Sequence, residues 1–262
     1  MKTSKLPLLT TGVVLLFFYV PLALMVVQSF QHKVPGVDAK QWTTKWYVRI
    51  FNDDRVVDAA MNTISIGITA AVVSTLLGTL SAMAIYRYKS RLQSLHKGLL
   101  YIPIILPEIL MGISLLICFS ALGIELGRMT IVAAHVAFCT SYVAIIILTS
   151  LEGFDFTLVE ASRDLGASWL QTFMRVLLPL LFPAICAGTL LAFTLSLDDF
   201  IVTFFVSGPG CTTLPVYIYS SIKHGRPESL CALSSVLLAA TFVLVTISLL
   251  FAGNKMVESE RA

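Results

Sequence analysis

Thr157-Leu158-Val159-Glu160-Ala161-Ser162-Arg163-Asp164-Leu165-Gly166-Ala167-Ser168-Trp169-Leu170-Gln171 carries two helix-start signals and one stop between them. Thr157 with Glu160 three positions on fits a capping box, and Ser168 with Gln171 repeats the pattern. Gly166 is placed to end the first helix in the left-handed conformation. The spacing predicts a short helix, a turn, and a second short helix reaching Leu178, just before Pro179. On either side lies an apolar run, 129–150 and 181–206. Each has about the 20 residues needed to cross a bilayer. Four more runs qualify, at 8–30, 59–86, 98–119 and 229–252, and none of the six holds Lys or Arg in its interior. The expected fold is therefore all-α, a polytopic membrane protein of six transmembrane helices with a helical loop, 151–180, between helices four and five.

Composition agrees. Of 262 residues, 57% are hydrophobic and 13% charged, with a mean hydropathy of +0.87. Soluble domains carry about a quarter charged residues, so this chain lacks the polar surface of one. The net charge of +3 gives no reason to expect nucleic acid. Lys2 and Lys5 precede the first run as in a signal peptide, but the run is too long and no A-x-A site follows, so it reads as a retained helix. The organisation expected is 1–58 as a first helix with an external segment, 59–252 as the main transmembrane domain, and 253–262 as a cytoplasmic tail. Of the cysteines, only Cys211 and Cys231 share a loop region, where free thiols are the default over a disulfide. His32, His96, His135 and His224 are scattered, and no metal site is expected. His135, on an apolar run, reads as a packed residue with one satisfied hydrogen bond. Lys223-His224-Gly225-Arg226 reads as a solvated external loop.

Orientation follows from the short loops. Residues 87–97 hold Arg87, Lys89, Arg91 and Lys97 without an acid, which places that loop, the loop 151–180 and both termini in the cytoplasm. Residues 31–58 then lie outside.

Glu160-Ala161-Ser162, Gly166, nine further residues and Val176-Leu177-Leu178-Pro179 resemble the EAA loop of ABC importer permeases. Ser162 stands where that pattern has a second Ala, and Val176 where it has Ile. The resemblance implies the type I importer permease fold, with the loop as a coupling helix that docks on an ATPase subunit. Glu160 would contact the ATPase, Ala161 allow close approach, and Gly166 permit the turn. The chain has no G-x-x-x-x-G-K-[ST] phosphate loop and no loop long enough for a nucleotide-binding domain. ATP and Mg would thus serve a separate ATPase, no cofactor would bind this chain, and the chain itself is not an enzyme. Six spans without an internal repeat also call for a second permease.

Three acids interrupt the apolar runs: Glu108 in the third, and Asp198 and Asp199 in the fifth. An ionised carboxylate at mid-membrane costs at least about 2.5–3.5 kcal/mol, and no Lys or Arg in these runs offsets it. A path for a cation is one reading. Protonation, bonding of one Asp to backbone or a neighbouring helix, and a basic partner-subunit residue are the others. Pro103 and Pro107 would loosen the helix beside Glu108. Tyr19 and Tyr142, mid-run, and Trp46 and Tyr47, in the external segment, could meet ammonium groups through their ring faces. For both pairs, packing or interfacial anchoring competes with that role.

Thr43-Thr44-Lys45-Trp46-Tyr47, Tyr86-Arg87-Tyr88, Asp164-Leu165-Gly166-Ala167-Ser168 and Phe193-Thr194-Leu195-Ser196-Leu197-Asp198-Asp199 extend the resemblance, nearly end to end, to the spermidine/putrescine branch of these permeases. It implies a bacterial inner-membrane complex of two different permeases, an ATPase pair and an extracytoplasmic polyamine-binding protein. It also implies that Ser196, Asp198, Asp199, Glu108 and Trp46 lie on the polyamine path, with Tyr19 added as an aromatic candidate. That branch commonly has Asp at the position of Glu108. Two rivals remain at this level: an ABC permease for an amino acid, an opine or Fe(III), and an ion-coupled secondary transporter.

Overall fold

The computed structural model describes residues 6–33, 40–88, 91–224 and 229–243. The chain divides into two compact units, Met1–Val57 with Ile218–Ala262, and Asp58–Tyr217.

In the first unit, α1 (Leu6–Ser29) is mostly apolar, with Thr10, Thr11, Gln28 and Ser29 as its polar residues. It leads into an antiparallel hairpin of β1 (Gln31–Lys33) and β2 (Lys40–Trp42), with His32 opposite Gln41. Helix α2 (Lys45–Phe51) buries Trp46 and Ile50. The Trp46 indole N–H donates to the Gln31 carbonyl at 3.0 Å, and the Ser29 and Tyr47 hydroxyls meet at 2.6 Å. These two bonds tie the helix to the hairpin.

The second unit holds the long helices. α3 (Asp54–Arg87) has 34 residues, about 51 Å at 1.5 Å per residue, so it outruns a hydrocarbon core of about 30 Å. α6 (Arg128–Glu152) is the central helix, more deeply buried than α3 or the helix that follows the loop. Its Ile131, Ala134, Phe138, Val143, Ile147 and Leu151 form the middle of the core.

Two of the expected spans are broken. The run 98–119 becomes α4 (Gln93–Ile105) and α5 (Glu108–Ala121), bent by 106°. The cause is Pro107, which disfavours helical backbone at the residue before it: Leu106 has ψ 134° and Pro107 ψ 131°. The run 181–206 becomes α9 (Leu178–Asp198) and α10 (Ile201–Val206), with Asp199 extended at ψ 119°. Gly112 lets α5 cross α10 closely, since a Cβ there would come within 2.8 Å of the Phe205 ring and 3.4 Å of the Val202 Cα.

The loop departs from expectation in two places. Phe156, not Thr157, occupies the N-cap of α7 (Thr157–Asp164), and no side-chain cap bond forms there. Asp155 takes over that work by accepting the Thr157 N–H at 3.0 Å. Second, Pro179 does not stop the chain. α8 (Trp169–Thr172) passes through a π turn, Phe173–Leu177, straight into α9. Proline has no N–H and crowds the carbonyl four residues back. The wider π turn, closed by the Leu178 N–H on the Phe173 carbonyl, lies where that crowding would fall. Trp169–Asp198 is thus one apolar rod of 30 residues.

α11 (Leu214–Lys223) and α12 (Ser229–Val243) complete the described chain. The last part of the run 229–252, the tail 253–262 and Gly225-Arg226 of the expected external loop lie outside the described residues.

Candidate functional site: a cavity at two helix breaks

Both breaks open onto one cavity of about 350 Å³, lined by Glu108, Asp198, Asp199, Tyr142, Phe138 and Met111 among others. Glu108 is the first residue of α5, where the positive end of the helix dipole favours a carboxylate. Asp198 is the last residue of α9, a 21-residue helix with no basic residue in its last turn. Its carboxylate therefore adds to the negative end of a helix dipole, which is a place for a cation. Neither Glu108 nor Asp198 makes an ion pair or side-chain hydrogen bond among the described residues.

Asp199 is different. Its side chain is 5% exposed and accepts hydrogen bonds from the Thr203 N–H (2.7 Å), the Thr203 hydroxyl (2.7 Å) and the Val202 N–H (3.3 Å). His135 Nε2 lies 3.3 Å from Asp199 Oδ2 and 2.9 Å from Thr203 Oγ1. Because the Thr203 hydroxyl donates to Asp199, its oxygen must accept from His135, so Nε2 carries a proton. The other ring nitrogen, Nδ1, meets Ser196 Oγ at 2.6 Å. One turn further along α6, the Cys139 thiol lies 3.5 Å from the Ala192 carbonyl. The expectation of one hydrogen bond for His135 is thus corrected. Its partners lie 61 and 68 residues away in sequence, and α6 brings them together.

The Asp pair was expected on one continuous helix. Both line the cavity, but across the break Asp198 stays unbonded among the described residues while Asp199 is bonded to α10 and His135. Of the other candidates, Ser196 is buried behind His135 and does not line the cavity. Trp46 and Tyr19 belong to the first unit, where Trp46 is buried and Tyr19 is 64% exposed.

The loop forms a second site in the same unit. Gly166 has φ +85°, a backbone that side chains rarely adopt, and the Ser168–Gln171 capping box is closed at 2.8 and 3.4 Å. Ser162 uses its hydroxyl to bridge α7 to α8, 3.0 Å from Thr172 Oγ1. Glu160 and Ala161 are exposed, and Leu165 (90%) and Leu170 (68%) stand out beside them. Behind the loop a cavity of about 720 Å³ is walled by Tyr86, Arg87, Phe156 and Trp169, with the Lys97–Glu152 ion pair (3.1 Å) at its edge.

Residues 74–259 match the family described as binding-protein-dependent transport system inner membrane component. The chain is 38% identical over 239 residues, 91% of this chain and 90% of the relative, to the spermidine/putrescine transport system permease protein PotC of Escherichia coli K12. It is 37% identical over 235 residues, 87% of this chain and 84% of the relative, to the putrescine transport system permease protein PotI of the same strain. The fold matches a chain of a bacterial ABC transporter that imports the acidic polysaccharide alginate, with a TM-score of 0.75, 17% identity, and 93% and 94% of the two chains covered. With its apolar helices and exposed helical loop, the chain is a multi-pass inner-membrane permease subunit and belongs to the family of binding-protein-dependent transport system inner membrane components.

Proposed function

We propose that this chain is one of two permeases of an ATP-driven importer and forms, with a second and different permease, the membrane path for polyamines such as spermidine and putrescine. The observation that carries the cargo is the pair of carboxylates, Glu108 and Asp198, facing one cavity without a basic partner among the described residues. A polycationic amine supplies the missing counter-charge. Helix C-terminal ends at breaks in membrane helices are suited to cations in the same way. The PotC and PotI relatives, named for spermidine and putrescine transport, point to the same cargo.

The partners proposed are a pair of ATPase subunits on the cytoplasmic side, where both termini also lie, and an extracytoplasmic polyamine-binding protein. ATP and Mg act in the ATPase, and this chain lowers no chemical barrier. Loop 151–180 takes up the closure of the ATPases through Glu160, Ala161 and the Gly166 turn. The continuous rod Trp169–Asp198, about 45 Å long, carries that motion to the carboxylate at its far end, so the cavity opens to alternate sides. Asp199 and Ser196 border the path through His135. For Trp46 and Tyr19 the assignment to the path rests on the sequence pattern alone.

The test is uptake of labelled spermidine and putrescine into proteoliposomes. These hold this chain with its partner permease, ATPase and binding protein, with and without internal ATP. ATP-dependent uptake that is lost on Gly166→Pro and weakened on Asp198→Asn supports the reading. ATP hydrolysis stimulated by a binding protein loaded with another solute, without polyamine uptake, discards the cargo.

A further inference from the structure

We infer that the adjacent carboxylates have separate roles: Asp199, fixed by His135 and Thr203, is a positioning residue that holds the α9–α10 break, while Asp198 and Glu108 meet the cargo. The second half rests on the polyamine reading; the first does not.

The bonding pattern separates the two acids. At Asp199 a cation must compete with the Thr203 N–H, the Thr203 hydroxyl and His135 at Oδ2, and with the Val202 N–H at Oδ1. The two Thr203 bonds, at 2.7 Å, have the length of strong bonds to a charged acceptor. Asp198, one residue away, has no such claim on it among the described residues and lines the cavity.

His135 is placed to act as the pin. One ring nitrogen meets Ser196 in the last turn of α9, and the other meets Thr203 on α10 and Asp199 between them. A single rigid ring on α6, itself 1% exposed, therefore spans the break and fixes the angle between the two half-helices. The Cys139 contact to Ala192 extends the same register one turn along α6 and α9. Loss of the pin leaves the cargo groups in place but lets α10 move independently of the rod, so ATP-driven motion no longer reaches the path intact.

The experiment uses the assembled complex in proteoliposomes and measures KM for uptake, maximal rate and polyamine transported per ATP. Asp198→Asn and Glu108→Gln each raise KM by roughly tenfold, the loss expected for one charged contact. Asp199→Asn leaves KM near the wild-type value and lowers polyamine transported per ATP. His135→Gln, whose amide N–H reaches the Nε2 position, retains coupling, whereas His135→Phe and His135→Asn behave as Asp199→Asn does. Where Asp199→Asn fails to assemble, the isosteric Thr203→Val is read in its place, with the same pattern expected. A rise in KM for Asp199→Asn matching that of Asp198→Asn overturns the division of roles. Equal behaviour of the three His135 variants overturns the pin. Wild-type complex that couples ATP to a different solute refutes the cargo half only, and the pin is then read with that solute.

Discussion

The Arg87 guanidinium lies over the Trp169 ring, 4.4 Å from its centroid. Arg87 ends α3 and Trp169 begins the rod that runs to Asp198. The contact therefore joins the end of one long helix to the point where the loop enters another. Cation–π contacts contribute about 0.5–2 kcal/mol. Arg87→Gln should loosen the loop and lower transport per ATP without changing KM for the cargo. Trp169→Phe, which keeps a ring face, should be milder than Trp169→Ala, as read by the ratio of uptake to phosphate released.

At Gly166 the backbone itself is the constraint. A left-handed residue with a side chain costs about 1–2 kcal/mol, and Asn tolerates the region best. Activity should fall in the order Gly, Asn, Ala, Pro, because proline cannot reach φ +85° at all. ATP-dependent uptake of the four proteins in proteoliposomes checks the order. An equally active Pro variant would mean that this turn has no part in coupling.

Gly112 faces Phe205 with no room for a methyl group. Overpacking at such a contact costs about 1–3 kcal/mol. Gly112→Ala should lower thermal stability of the purified complex, and Phe205→Leu should recover part of the loss. A double-mutant cycle of the two changes should show coupling, whereas additive losses would place the strain elsewhere.

Asp155 is exposed, and the side-chain and backbone hydrogen bonds from Thr157 hold its carboxyl below the usual carboxylate range. A depressed folded value means that the cap contributes above the unfolded pKa, about 3.9. The contribution fades as pH falls through the lower folded value. The Thr157 amide should stay protected from exchange between pH 7 and 5 and lose protection only in stronger acid. In Asp155→Asn that acid-linked step should vanish.

Local signals carried the loop. Gly166 and the Ser168–Gln171 box are decided within a few residues, and both stand as read. Thr157 is not the cap because Asp155, two residues before it and outside the box pattern, accepts the Thr157 N–H. Pro179 was misread because a π turn can absorb a proline that a regular helix would reject. Hydropathy found the apolar runs but carries no direction, so the 106° bend at Leu106-Pro107 showed only as a pair of prolines. The three acids drew attention by their cost alone. Their separation into bonded and unbonded groups depends on Thr203, four residues on from Asp199 across the helix break, and on His135, which no short-range pattern connects to Asp199.

The exposed Leu165 and Leu170 bear on how the cell makes this protein. Outside the apolar runs, large apolar side chains standing in water invite aggregation and proteolysis unless a partner covers them. Orphan copies are therefore a liability from the moment the loop is made. Balanced synthesis of the subunits, or rapid removal of the surplus one, is built into the requirements of a surface designed to be covered.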